Sequence, residues 1–309
     1  MKKTAIGGSA LMEGLMMIGP ENAAIAVRMP DGEIRVEDRA LPVKSRFNKV
    51  PVLRGIVSFF RQMVLSIKAM MFSVELIDFE GNEDEERGLK KTFFENMMDR
   101  IFGENLKDAV VYFSLLLSLA FSIGLFILVP NILAGLLHFD KDSYLGVMYY
   151  NLFEGVLKVS LFLGYLILAT RMKDIKRVWE YHGAEHKTIN CYEHNEELTV
   201  ANVMKYTTKN PRCGTSYMFL VILVSILLFS LLGWYSIWLN VLIRLILMPV
   251  VAGLTFELFR YAGRSDTILA QILSKPGLWF QLLTTKEPDE KQVEVAIIAF
   301  NKVRPDTAG

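Results

Sequence analysis

The sequence predicts a mainly α-helical membrane protein with about four transmembrane helices and a small cytoplasmic α+β part that opens on a β-hairpin. Three observations carry that expectation. Ala109 to Leu137 and Gly214 to Ile243 contain no charged residue, and about 20 apolar helical residues suffice to cross a bilayer core. The chain is 52% apolar over 309 residues. Its first 48 residues contain a short apolar run, a Pro-Asp-Gly turn and a second run with strand character. The formal net charge of +1 offers no overall field for a nucleic acid, so no such partner is expected. Two cysteines, Cys191 and Cys213, are too few for a disulfide framework. Lys2 and Lys3 precede a stretch broken by glycines and Glu13, so no cleaved signal peptide is expected.

Residues 1–48 read as a cytoplasmic hairpin region. GGSALMEGLMMIGP reads as a turn-rich lead without phosphate-loop spacing. Ala23 to Met29 is the first strand, Pro30-Asp31-Gly32 the turn and Glu33 to Glu37 the return. Residues 51–107 read as amphipathic or interfacial helices around an acidic linker. In the helix from Pro51 to Ile77, Arg54, Arg61, Lys68 and Glu75 recur every seventh residue and form one polar stripe. Such a helix suits the membrane interface better than its core, where three cations would have to cross. DFEGNEDEER, from Asp78 to Arg87, is the linker, and Gly88 to Lys107 a further amphipathic helix.

Residues 109–170 hold the first two spans, about Ala109 to Leu133 and Val147 to Thr170. From Ser216 to Arg260 the chain is almost wholly apolar; as one helix it would measure roughly 68 Å, twice a bilayer. A break at Gly233-Trp-Tyr-Ser therefore divides residues 216–262 into the third and fourth spans. The loop 171–215 and the outer flanks of the spans are rich in lysine and arginine. The positive-inside rule then places the loop and both termini in the cytoplasm of a multi-pass cell-membrane protein. Residues 263–309 form a cytoplasmic C-terminal segment. In it Val293, Ala296, Ile297, Phe300 and Val303 make the apolar face of an amphipathic helix.

Three of the four histidines fall in the central loop, at His182, His186 and His194, close to Cys191. His182-Gly-Ala-Glu185-His186 has the H-x-x-E-H spacing of inverted zincins. On a helix it puts two imidazoles on one face with a carboxylate beside them. His182, His186, Cys191, His194 and Cys213 all suit zinc or a similar transition metal, in a closed structural site, an open catalytic one, or both. Glu185 would be the general base. Glu257, near the cytoplasmic end of the fourth span, is a candidate further ligand or else pairs with Arg260 or Lys173. Deeper in the spans, Glu154 and Lys158 are four apart, and Arg244 lies at a similar depth. A buried Glu154–Arg244 pair is expected.

GGSALMEGLMMIGP, AIAVRMPDGEI, PVLRGIVSFF, YHGAEHKTI, NPRCGTS and GLWFQLLTTKEPDEKQVEVAI occur in this order. Together they resemble the YqhQ-like family of bacterial membrane proteins over nearly the whole chain. The resemblance implies a metal-dependent enzyme. It marks Glu13, Gly14, Gly19 and Pro20 near the start, then His182, Gly183, Glu185, His186 and Lys187, then Pro211, Arg212, Cys213 and Gly214. Ile18 stands where a basic residue is expected, and Asn210 where a histidine often precedes Pro-Arg-Cys, which removes one possible ligand from that turn.

Two functions follow as expectations. The first is a divalent-metal hydrolase acting at the membrane surface on a peptide or lipid-derived substrate. The second is a non-enzymatic scaffold or biogenesis factor docking a cytoplasmic partner such as the translocation machinery or the ribosome. Lys187, Lys205, Lys209 and Arg212 suit that docking or an anionic bilayer surface equally well.

Overall fold

The computed structural model describes residues 4–41, 49–85, 106–137, 139–140, 142–233, 235–265 and 267–305. The expected helix from Gly88 begins outside these residues. Four strands, β1 (Gly7–Leu11), β2 (Gly14–Ile18), β3 (Asn22–Arg28) and β4 (Ile34–Ala40), form an antiparallel meander in the order β1-β2-β3-β4. The expected hairpin is β3–β4. GGSALMEGLMMIGP, however, is a second hairpin rather than a turn-rich lead. Leu11 pairs with Gly14 across a tight turn in which Glu13 adopts φ 48°. The reason it escapes a period-two reading is burial on both faces. Leu15, Met17, Ala24 and Ala26 face one core, while Leu11, Met16, Ala23 and Ile25 face another. A strand covered on both sides reads as a continuous apolar run, because neither face needs polar residues.

The helices are α1 (Leu53–Glu85), α2 (Leu106–Ile123), α3 (Val129–Gly135), α4 (Tyr144–Ala169), α5 (Lys173–Glu193), α6 (Val200–Met204), α7 (Gly214–Ser230), α8 (Ile237–Arg264), α9 (Ile268–Thr284) and α10 (Glu290–Val303). A wider π turn, Gly124–Leu128, joins α2 to α3, whose first turn carries Pro130. Four described helical stretches are long and apolar enough to cross a membrane: Leu53–Ile77, Leu116–Gly135, Tyr144–Ala169 and Trp238–Arg264. The break expected at Gly233-Trp-Tyr-Ser is present between α7 and α8. The α7 helix, Gly214–Ser230, is one of the shorter apolar helices, and α1 takes its place among the four.

The chain clusters into two compact units. One draws on residues 1–80, 165–225 and 247–309, the other on 81–164 and 226–246. In the first, α1 lays Leu65, Ala69, Phe72 and Leu76 on one sheet face. Phe60, Met63, Ile67 and Met71 of α1 stay exposed, an apolar stripe suited to lipid. The part of the acidic linker from Asp78 to Glu85 continues this helix. The opposite sheet face packs on Tyr181, Ala184 and Ile189 of α5 and on Val293, Ala296, Phe300 and Val303 of α10. Residues 171–215, expected as a loop, are therefore mostly helix, and α5 is buried along most of its second half. The α10 helix starts at a capping box formed by Asp289 and Gln292. The α9 helix, which carries no charge pattern to announce it, precedes α10.

In the second unit the Arg244 guanidinium bonds Glu154, and also Asn151 Oδ1 at 3.0 Å. Lys158 Nζ lies 2.9 Å from the same carboxylate. The expected Glu154–Arg244 contact is thus a buried triad with Lys158.

Candidate metal centre

The site grows out of α5. Because 3.6 residues make a turn, His182 and His186 stand one above the other, with ring centroids 4.4 Å apart. Each imidazole is oriented through its inner nitrogen by a main-chain carbonyl. His182 Nδ1 lies 2.7 Å from Thr284 O at the end of α9, and His186 Nδ1 lies 2.5 Å from Thr208 O. A carbonyl only accepts, so both Nδ1 atoms carry a proton, and Nε2 is the ring atom each imidazole turns towards the triad. Cys213 arrives from the turn before α7, its Sγ 3.1 Å from His182 Nε2. One ligand atom from each of His182, His186 and Cys213 lies within 4.8 Å of the others, and all three side chains are buried.

The turn that delivers Cys213 is tied down tightly. Asn210 Oδ1 accepts from Arg212 N at 3.0 Å. Gln281 of α9 brackets Asn210, accepting from its N–H and donating to its carbonyl. At the position where the sequence resemblance led to an expected histidine, the asparagine shapes the turn. Arg212 bonds Glu193, which also accepts from Thr4 N at 2.7 Å.

Electrostatics polarise the triad. Burial opposes the Cys213 thiolate, but the neighbouring His182 and His186 outweigh it and hold the thiol well below its usual range. Burial likewise opposes the His182 cation, yet Cys213, Glu185 and the Thr284 carbonyl raise it to about 9. Glu185 is buried, which pushes its carboxyl up against the pull of the two imidazoles. It accepts from the Gly8 N–H of β1, and its Oε2 has no hydrogen-bond partner among the described residues. His186 Nε2 is likewise buried without a partner among them.

Other residues expected in the site lie elsewhere. Cys191 is packed in the α5–α10 core beside the Glu197 carbonyl. His194 caps α5 through Asn190 O at 2.7 Å and lies against the Tyr206 ring, because about two further turns of helix rotate it by roughly 80° away from His186. Glu257 is occupied by Arg54 of α1, which replaces both the ligand role and the pairing with Arg260 or Lys173. Glu13 ties the β1–β2 turn to Arg177 and Tyr181 of α5. Gly14 admits Ala26 O at 2.2 Å, and Gly19 admits Val303 O at 2.4 Å, from where a Cβ would stand. Pro20 is exposed in the β2–β3 turn, and buried Lys187 reaches Glu287 and Met204 O. These positions assemble the scaffold. The Thr284 and Thr208 carbonyls and the Gly8 N–H have no side-chain signature, and the sequence reading missed them.

A cavity of about 510 Å³ opens on His182 and Cys213, walled by Trp179, Phe59, Met63, Tyr217, Met218 and Phe256 among others.

A family model described as protein of unknown function (DUF1385) matches residues 50–306. The chain belongs to this family. It is also 37% identical over 307 residues to the uncharacterized protein YqhQ of Bacillus subtilis (strain 168), which covers 97% of this chain and 92% of that protein. No solved structure matches the chain.

Proposed function

We propose that His182, His186 and Cys213 hold a divalent metal, zinc by the chemistry of the donors, in a hydrolytic centre acting at the membrane surface. The observation that carries this reading is His186 Nε2, a buried lone pair without a partner among the described residues. An unsatisfied buried acceptor costs about 1–3 kcal/mol, and a cation at the triad would satisfy it. Two imidazoles and a thiolate are a zinc donor set, and three protein ligands leave a fourth position for chemistry. Zinc so held supplies Lewis acidity towards a carbonyl or phosphoryl oxygen and towards water.

The chain's own residues would do the rest. The two carbonyls keep the imidazoles aimed. Glu185, with one oxygen fixed by Gly8 and the other free, would take the proton of the attacking water and return it to the leaving group. The apolar walls of the cavity would exclude bulk water. Elemental analysis of the purified full-length protein tests the centre. About one zinc per chain is expected in wild type and in Glu185→Gln, with less in His186→Ala and Cys213→Ser. Wild-type protein without stoichiometric metal would sink the reading and favour a docking role instead.

A further inference from the structure

Beside the apolar cavity lies a second one of about 680 Å³ with a basic lining. Its lining includes Arg54 of α1, Arg212 of the Cys213 turn, and Arg260 and Arg264 at the end of α8, and no carboxylate. The two cavities share Ser58, Phe256 and Phe259 as walls. Arg54 is neutralised by Glu257 and Arg212 by Glu193. Arg260 and Arg264 have no ion-pair partner among the described residues, so the described lining holds two arginines without a paired carboxylate. Arginines that served only to anchor a helix at the interface would need no recess. Here four arginines line one, and an apolar cavity shares three of its wall residues.

We propose that the arginine-lined cavity seats the anionic phosphate head of a lipid whose apolar chain lies in the adjoining cavity. Guanidinium matches phosphate in both geometry and charge. Basic pockets at the ends of spanning helices are suited to anionic head groups. Phe59, Met63, Met218 and Phe256 supply the apolar surface for the chain. Arg212 is adjacent in sequence to Cys213, so the head would sit next to the metal centre. A phosphate-headed lipid is then the substrate class of that centre. Only this last step rests on the zinc reading; the binding itself does not.

The test uses the full-length protein in nanodiscs of phosphatidylcholine containing titrated phosphatidylglycerol, with retained lipid read by native mass spectrometry and zinc measured on the same samples. Wild type is expected to retain phosphatidylglycerol over phosphatidylcholine. The double variant Arg260→Gln, Arg264→Gln is expected to weaken this by roughly tenfold or more, since one charge-assisted bond is worth about that factor, with zinc content unchanged. Met63→Trp, which fills the apolar cavity and leaves the arginines alone, is expected to reduce retention as well. Equal retention of both lipids, wild-type retention in either variant, or displacement by equimolar inorganic phosphate would overturn the proposal. Wild type lacking zinc but selecting phosphatidylglycerol would remove the metal reading and leave the lipid site standing.

Discussion

Cys191 and Cys213 show how far surroundings separate two identical side chains. Cys191 sits in an apolar core where burial pushes its thiol up to about 11. At Cys213 the imidazoles overcome the same penalty. The sign is opposite in the two cases. Cys213 ionises well below the ordinary thiol range and loses its thiolate as the pH falls, whereas Cys191 ionises only in strong alkali. In chelator-treated protein at pH 7, iodoacetamide is therefore expected to label Cys213 well ahead of Cys191. Zinc should protect Cys213, and peptide mapping reads both results. Preferential labelling of Cys191 would contradict the assignment. The H-x-x-E-H spacing made His182, His186 and Glu185 legible in the sequence. Spacing alone did not select Cys213 over the nearer Cys191 as their companion, although the resemblance carried by NPRCGTS marked Cys213.

At the scale of elements, α5 and the strand-like segment after α9 meet through a glycine. A Cβ on Gly183 would stand 2.0 Å from Lys286 O, while Lys286 N donates to Trp179 O at 2.9 Å. Alanine would gain up to about 1 kcal/mol of helix propensity. Overpacking against backbone costs about 1–3 kcal/mol and wins. Gly183→Ala should lower the melting temperature, and it should weaken zinc binding because Thr284, the anchor of His182, is displaced with the segment. Unchanged melting and zinc content would show that the segment yields freely. The helical period made the apolar face of α10 readable, and four of its five expected positions are buried. The β1–β2 hairpin was not readable, because the period-two signal exists only where one face of a strand meets water.

At the scale of the whole molecule, the cost of charge in apolar helices orders a mutant series. Glu154 is the shared ion-pair partner of both Arg244 and Lys158. Glu154→Leu strands two cations and is expected to cost about 3–5 kcal/mol. Arg244→Leu leaves Glu154 still paired with Lys158 and should be milder. The double variant Glu154→Leu, Arg244→Leu leaves one stray cation and should be more stable than Glu154→Leu alone. Thermal unfolding in detergent gives the order; a double variant less stable than Glu154→Leu would refute the pairing.

By itself the sequence determined the long apolar helices, the break between α7 and α8, the β3–β4 hairpin and the place of the imidazole pair. Each of these depends on local periodicity, length or turn chemistry, which are written in neighbouring residues. Tertiary structure alone decided that α1 pairs with the sheet, that Cys213 completes the triad, and that Glu257 belongs to Arg54. It also set the Thr208 and Thr284 carbonyls behind the imidazoles. Those contacts join residues far apart in the chain through backbone groups and packing that every residue type possesses. Their partners are selected by geometry, and no spacing in the sequence records them.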